Sequence, residues 1–217
     1  PPVLPSAAGY TVPIRHLPAD PEVGLGGDWY DVTRTAHGQL VGSIGDVVGH
    51  GVEAIGAMAR ASSALRAYVH EGHSPDHALA HLDRLLGATR EAMATAAVVS
   101  VSVEDGLVRY ARAGHPYPLI VDLDGTVRTL RDAHGPMLGA LPDATYDAAE
   151  VVLEPGQTLL LHTDGLVERR GEEPVVSARR LADALAEGAS LGVEALADLV
   201  LEQCVEPGLR RDDACLL

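Results

Sequence analysis

Residues 41–54 read VGSIGDVVGHGVEA, a pattern that predicts a buried strand leading into a helix. Their first four residues are small or apolar and predict a strand that ends at the Gly-Asp pair containing Asp46. Gly49 and Gly51 leave the next stretch of backbone without side chains, and a helical pattern begins near Val52. Because glycine permits unusual dihedral angles and close approach of a ligand, the stretch predicts a carboxylate at a strand end beside bare backbone.

Three other short motifs place an acidic residue at the edge of a strand-like run: GGD at 26–28, TDG at 163–165 and RDD at 211–213. Aspartates in such turns most often cap the backbone. Carboxylates at several strand ends can instead converge on a hard cation, which prefers oxygen ligands. The pattern by itself leaves both interpretations open.

The composition favours a packed globular protein. The 217 residues are 47% apolar, without phenylalanine and with one tryptophan, so one large or two small domains would have an aliphatic core. Two cysteines are too few for a disulfide framework and lack metal-ligand spacing, which indicates a reducing compartment. No run approaches the roughly 20 apolar residues of a membrane span, and no signal peptide is recognisable, so we expect a soluble, cytoplasmic protein with no membrane partner.

The charge balance is strongly acidic. There are 31 aspartates and glutamates against 16 basic residues, all of them arginine, for a formal net charge of −15. This balance disfavours nucleic acid as a partner, because phosphate backbones select basic surfaces. It is compatible with a site that concentrates divalent cations.

The first strands predict an antiparallel hairpin. Residues 26–33 and 39–44 have strand-like patterns, and His37-Gly38 supplies the turn between them. Asp28 enters one strand and Asp46 leaves the other. An antiparallel pair would therefore bring both carboxylates to the same end.

The remaining pattern alternates strands with pairs of helices. Helices are expected at 52–70, 74–91, 177–187 and 193–203, with a meander of short strands between the two pairs and a closing strand at 214–217. This order predicts sheet packed on sheet with helices outside. A doubly wound parallel fold is the alternative, and the hairpin turns argue against it.

The four carboxylates suggest a specific chemistry if they form one site. Asp46 would bridge two metal ions with help from the Val47 carbonyl, Asp164 and Asp212 would hold one ion, and Asp28 would orient waters on the other. A paired Mg²⁺ or Mn²⁺ centre activates water near neutral pH and clamps the oxygens of a phosphoryl group during in-line displacement.

Five motifs occur in order, GGDWYD (26–31), GDVVGHG (45–51), AGHPYPL (113–119), TDGLVE (163–168) and RDDACL (211–216). Together they resemble the motifs of the metal-dependent PPM serine/threonine phosphatases in their bacterial SpoIIE-type, RsbU-like branch. The resemblance covers essentially the whole chain. It implies an α+β, four-layer αββα sandwich with two mostly antiparallel central sheets flanked by helix pairs. Residues 1–217 would form one phosphatase domain excised from a longer multidomain regulator.

The resemblance also assigns roles to residues. It implies that Asp46 bridges two Mn²⁺ or Mg²⁺ ions, that Val47 offers its carbonyl, and that Asp164 and Asp212 are further metal ligands. Asp28 is implied as a ligand acting largely through metal-bound water. With Asp46 it would carry the catalysis.

The implied substrate is a phosphorylated anti-sigma-factor antagonist of the STAS type in a sigma-factor regulatory pathway. Upstream sensory or neighbouring regulatory domains would control the site through the helix pair after Gly51, and the resemblance leaves room for a homodimer. Two alternatives stay open. One is a regulatory phosphoprotein-binding module of the same fold with little turnover, and the other is a hydrolase of small phosphate esters.

Several residues are expected near the ligands without binding metal directly. Asp31, His50 and Asp213 are predicted to support the ligands, although Asp31 could instead cap a strand end and Asp213 could point outward. The phosphate-holding arginine of the wider superfamily has no clear match, and Arg15 is a distant candidate. His115 stands where many relatives have aspartate, so a third metal ion is not expected and a turn-fixing role is favoured.

Four histidines around the predicted helical connection form a second candidate metal set. Three of them have spacings close to one helical turn, which could serve a metal site in principle. No third ligand lies nearby in the pattern, so an exposed polar helix face is the favoured interpretation. The four are His70, His73, His77 and His81.

Overall fold

The computed structural model describes residues 9–18, 26–89, 92–168, 171–205 and 213–217. The strands are β1 (Arg15–Leu17), β2 (Asp28–Arg34), β3 (Leu40–Val47), β4 (Ala94–Val101), β5 (Leu107–Ala113), β6 (Leu119–Val121), β7 (Val127–Thr129), β8 (Ala148–Val152), β9 (Thr158–Leu160) and β10 (Ala214–Leu216). The helices are α1 (Gly51–His70), α2 (Pro75–Thr89), α3 (Pro174–Gly188) and α4 (Val193–Cys204), and a 3₁₀ turn spans Asp164–Leu166. None of the described helices is both long and apolar enough to cross a membrane.

The first sheet has the strand order β2-β3-β4-β5-β8, with antiparallel pairing throughout. The predicted hairpin is confirmed, because Asp28 lies opposite Asp46 in the register of β2 and β3. The amide of Gly38 donates to the carbonyl of Thr35 at 2.9 Å and closes the turn. Both carboxylates therefore lie at the end of the sheet far from this turn.

Strand β3 is longer than the sequence indicated. The prediction that it ends at the Gly-Asp pair is wrong, since β3 continues to Val47 and Asp46 pairs with Thr95 of β4. The reason lies at Gly45, where a Cβ would stand 2.3 Å from the ring of Trp29. Here glycine makes room for the indole within a continuous strand and does not break it.

The second sheet combines two smaller groups of strands. The order β7-β6-β9 is joined to β10-β1 because Leu161 and Leu217 exchange backbone hydrogen bonds at 2.9 Å in both directions. A bridge between His162 and Leu216 continues the same pairing. The chain thus forms two layers of antiparallel strands.

Three apolar layers hold the sandwich together. The α1–α2 pair packs on the outer face of the first sheet, the two sheets meet in the middle, and the α3–α4 pair covers the second sheet. Fully buried side chains of the three layers include Leu65 and Leu82, then Ile44 and Tyr110, then Leu181 and Leu185. The αββα architecture is confirmed, and the helix ends differ from the expected ones by a few residues.

Candidate metal centre

The two sheets meet at an acidic edge, which comprises Asp28, Asp46, Asp164 and Asp213. Side chains alternate along β2 and β3, so Trp29 and Val47 face the helices while Ile44 faces the second sheet. Asp28 alternates with Trp29, and Asp46 lies two residues from Ile44. Both carboxylates therefore face the space between the sheets.

Asp28 is one of the two buried carboxylates of this edge, with 4% of its surface exposed. Its Oδ2 accepts a hydrogen bond from the Thr163 hydroxyl at 2.7 Å, and Thr163 in turn accepts one from the Cys215 amide at 2.9 Å. The Asp28 amide donates to Asp213 Oδ2 at 3.4 Å. These contacts fasten β2 of the first sheet to the second sheet.

The pKa of Asp28 is raised to about 9. Burial is the main cause, the Thr163 hydrogen bond opposes it, and the charges of Asp46, Asp213 and Asp164 add to the rise. Asp28 Oδ1 is buried and has no hydrogen-bond partner among the described residues. A buried oxygen of this kind is costly unless a cation or a proton accompanies it.

Gly27 provides the bare backbone that the sequence predicted nearby. A Cβ at this residue would lie 2.6 Å from Asp46 Oδ1 and 2.7 Å from the Val47 carbonyl oxygen, so both oxygens face the space that the glycine leaves open. By contrast, the glycines of the following turn, Gly49 and Gly51, have positive φ angles of 118° and 79°, and a Cβ at either would have no described atom within 4 Å beyond its chain neighbours. They shape the turn that leads into α1.

Asp164 begins the 3₁₀ turn directly after Thr163. Its carbonyl accepts hydrogen bonds from the amides of Val167 and Glu168 at 2.8 and 2.7 Å, which fixes the turn. Its Oδ1 is buried and has no hydrogen-bond partner within the described part of the chain. A second carboxylate with an unsatisfied oxygen is thus placed beside the residue that holds Asp28.

The ligand atoms of the acidic edge are of the type that hard divalent cations prefer. Carboxylate and carbonyl oxygens suit Mg²⁺ and Mn²⁺. Across the described ranges, no three aspartate, glutamate, histidine or cysteine side chains are grouped closely enough to enclose a metal ion. The predicted ligand Asp212 lies outside those ranges, so the ligand set as a whole stays a prediction.

The predicted supporting residues differ in what they contact. Asp31 lies on the helix-facing side of β2 and forms a double hydrogen bond with Arg66 of α1, at 2.7 and 2.8 Å. It therefore ties α1 to the sheet. The expected contact of Asp31 with Asp28 is not formed. Asp213 points inward, because a Cβ at Gly26 would lie only 1.7 Å from Asp213 Oδ2. His50 is exposed and precedes α1 without a side-chain capping bond.

His115 lies beside the acidic edge, and its imidazole contacts Thr95 of β4, so the turn-fixing role stays a prediction. His115 is 2% exposed, and its Nδ1 lies 2.8 Å from the hydroxyl of Thr95, the residue opposite Asp46. Burial lowers the pKa of His115 to about 3, which keeps the imidazole neutral. Arg15 does not reach this edge, because it pairs with Glu194 and Asp198 of α4.

The sequence pattern missed Thr163, Thr95 and Gly27. Thr163 adjoins Asp164 in the TDG motif, and that adjacency was the available signal for a supporting role. Thr95 and Gly27 act through contacts across strands, which no local pattern contains.

The histidine cluster, defined as Tyr68, His73 and His81, lies at the connection between α1 and α2. The imidazole centres of His73 and His81 are 4.5 Å apart, and the Tyr68 ring lies 5.1 Å from that of His81. His73 also lies 3.7 Å from a carboxylate oxygen of Glu71. Both histidines are partly exposed, so the cluster lies at the surface.

Comparison with known proteins identifies the family. Residues 36–217 match the family model of Stage II sporulation protein E (SpoIIE). The chain belongs to the SpoIIE family. The match covers most of the chain and contains four of the five motifs, so the predicted PPM-type classification is confirmed.

Individual relatives agree with this assignment. The chain is 28% identical over 155 residues to the phosphoserine phosphatase RsbU of Bacillus subtilis, covering 70% of the chain and 46% of RsbU. The structure of the RsbU and RsbW domains of Rv1364c from Mycobacterium tuberculosis superimposes with a TM-score of 0.87 at 33% identity, covering 94% of this chain and 57% of that one. RsbX in complex with magnesium shares the fold, with a TM-score of 0.72 at 18% identity and coverage of 94% and 90%. The SpoIIE-family chain spans less than half the length of the curated relatives it matches.

Proposed function

We propose that this SpoIIE-family chain is a protein serine/threonine phosphatase that needs two divalent ions, Mn²⁺ or Mg²⁺. The observation that carries the proposal is the acidic edge. Asp28 and Asp46 face each other across β2 and β3, and buried oxygens of Asp28 and Asp164 have no hydrogen-bond partner among the described residues. The magnesium in the RsbX structure supports the choice of metal.

The residues of the edge would divide the work. Asp46, the Val47 carbonyl, Asp164 and Asp212 would hold the ions, and Asp28 would orient water at the same place. Bound ions of this kind supply a hydroxide nucleophile near neutral pH and offset the negative charge of the phosphoryl group.

The surrounding residues keep this geometry in place. The Thr163 hydroxyl holds Asp28 Oδ2, and the missing side chain of Gly27 leaves space in front of Asp46 and Val47. No side chain in this arrangement is needed as a covalent nucleophile, so direct hydrolysis is the reaction that fits it.

The proposed substrate is a phosphorylated anti-sigma-factor antagonist. Support comes from the RsbU relative and from the Rv1364c structure, whose chain joins an RsbU domain to an RsbW domain. The partial coverage of the curated relatives supports control by neighbouring domains, which would act through the helix pair that begins at Gly51.

The test is hydrolysis of a chromogenic phosphate monoester by the purified protein with Mn²⁺, with Mg²⁺ and with chelator. Asp46→Asn should lower turnover by about 100-fold or more, because it removes the central ligand and several kcal/mol of charge stabilisation. Asp183→Asn, an exposed position on α3, is the matched control and should retain turnover.

Turnover that resists chelation, or that survives Asp46→Asn, would contradict the proposal. If no metal gives turnover, calorimetric titration with Mn²⁺ decides between the remaining interpretations. Tight binding that Asp46→Asn abolishes would indicate an enzyme held inactive. Absence of binding would favour the phosphoprotein-binding module.

A further inference from the structure

Two arginines share one tyrosine ring on the rim of the acidic edge. The guanidinium carbon of Arg112 lies 3.9 Å from the ring centre of Tyr117, and that of Arg131 lies 5.3 Å from the same centre. Both distances fall within the range of cation–π attraction. We call these three residues the arginine stack.

The arginine stack carries positive charge that the described residues do not neutralise. Neither Arg112 nor Arg131 has an ion pair with a carboxylate in the described ranges, as is also true of Arg34, Arg84 and Arg179, whereas Arg15, Arg66, Arg109, Arg128 and Arg180 each do. The Nε of Arg112 is buried without a hydrogen-bond partner among those residues. Of the arginines without a carboxylate partner in the described ranges, Arg112 and Arg131 are the two that converge on one ring, and two positive charges placed this close together favour an anionic ligand.

The stack is physically continuous with the acidic edge. A guanidinium nitrogen of Arg112 donates to the His115 carbonyl, and His115 contacts Thr95, which lies opposite Asp46. Arg112 of β5 lies opposite Ala97, which is two residues beyond Thr95 on β4 and on the same face. Two strand spacings of about 4.8 Å and two rises of about 3.4 Å put the Cα atom of Arg112 roughly 12 Å from that of Asp46.

This distance argues for contact with residues that flank the phosphate and against contact with the phosphate that reacts. An extended peptide advances about 3.3 Å per residue, so roughly 12 Å corresponds to about three to four positions. Arg131 is exposed and Arg112 is partly buried, and guanidinium groups recognise carboxylates with well-defined hydrogen-bond geometry. The same groups would also attract an acidic partner toward an otherwise repulsive, acidic protein.

We propose that the arginine stack binds acidic side chains lying two to four positions from the phosphorylated residue of the substrate protein. The inference rests on the proposed phosphatase function and adds a class of substrate sequence to it. It makes Arg112 and Arg131 specificity-determining residues that would act mainly on KM.

The test uses two phosphoserine peptides that differ only at the positions two to four residues from the phosphoserine, with glutamate in one and alanine in the other. The wild-type protein should show a kcat/KM about tenfold higher for the acidic peptide, mostly through KM, and the preference should weaken with salt. Arg131→Gln should reduce the preference at least threefold, and Arg131→Glu should reverse it. Arg128→Gln, an exposed arginine of β7 that pairs with Asp122, is the control and should keep the preference.

Equal kcat/KM values for the two peptides, or an undiminished preference in Arg131→Glu, would overturn the inference. If neither peptide is hydrolysed, the phosphatase proposal fails for these substrates, and fluorescence polarisation of the same labelled peptides tests the stack separately. Tighter binding of the acidic peptide that is lost in Arg131→Glu would then support the stack. Equal binding would overturn it.

Discussion

The acidic edge and the histidine cluster are both groups of potential metal ligands, but the fold treats them differently. Asp28 is buried between the sheets and keeps an oxygen without a hydrogen-bond partner among the described residues. The histidines lie on a helix connection, where their rings stack on each other and on Tyr68. In the acidic edge, the oxygen of Asp28 without a described hydrogen-bond partner has an unfavourable energy that a bound cation would lower. In the histidine cluster, the rings already contact one another and Tyr68.

This difference shows why ligand types in a sequence are a weak guide to a metal site. The connection between α1 and α2 brings His73 and His81 together at the surface, where both stay partly exposed. Long-range sheet packing brings the aspartates together and removes water from Asp28, which raises its pKa to about 9. Substitutions in the acidic edge should therefore change the stability of the protein more than substitutions in the histidine cluster.

The largest expected response is at Asp28. Because its pKa in the native protein lies near 9 while an unfolded aspartate titrates near 3.8, the native state keeps a proton that the unfolded chain loses. The free energy of unfolding of the metal-free protein should therefore fall as the pH rises between these values. Asp28→Asn removes this penalty and should stabilise the metal-free protein by on the order of 3 kcal/mol at pH 7.

Urea denaturation in chelator at several pH values would check this result. The stability gained by Asp28→Asn should shrink toward zero near the pKa of an unfolded aspartate, and Asp183→Asn should show no comparable dependence. A constant difference between Asp28→Asn and wild type across the range would contradict the raised pKa.

A smaller effect is expected at Thr163. Thr163→Val removes the hydroxyl that donates to Asp28 and accepts from the Cys215 amide, so it should destabilise the protein by about 1–3 kcal/mol. Thr163→Ser keeps both hydrogen bonds and loses one buried methyl group, at a cost of about 1 kcal/mol. Chemical denaturation of both variants separates the two contributions, and equal losses would show that the hydroxyl has no special role.

The smallest effect is expected in the histidine cluster. The pKa of His81 is lowered by desolvation and by the nearby charges of Arg84, His73 and His77, so acidification should slightly destabilise the helix connection. His73→Gln combined with His81→Gln should leave the thermal midpoint at pH 7.5 within error of wild type and remove any extra loss near pH 5.5. A large stabilisation of the wild-type protein by Zn²⁺, abolished in the double variant, would instead make this cluster a metal site.

The sequence predicted the layers of the fold because hydrophobic periodicity and turn residues are local signals. It also placed Asp28 opposite Asp46, since the His37-Gly38 turn and the alternation of side chains determine the register of the hairpin. It misjudged the end of β3 because the reason for Gly45, the ring of Trp29, lies on a neighbouring strand.

The supporting residues escaped prediction for a related reason. Asp31 adjoins the first acidic motif in sequence, but strand alternation turns it to the opposite face, where Arg66 binds it. The arginine stack depends on the approach of residues 112, 117 and 131 in space, and no spacing rule predicts that approach. The role of Thr163 likewise depends on a contact with a residue 135 positions away.

That separation along the chain has a consequence for biosynthesis. The amide of Asp28 meets Asp213 across 185 positions, so the acidic edge brings together residues that are synthesised at widely separated times. A nascent chain released before Asp213 would carry Asp28 and Asp46 without the groups that complete their surroundings. The acidic edge can therefore be completed only after β10 is synthesised. Its completion requires that both sheets have packed together.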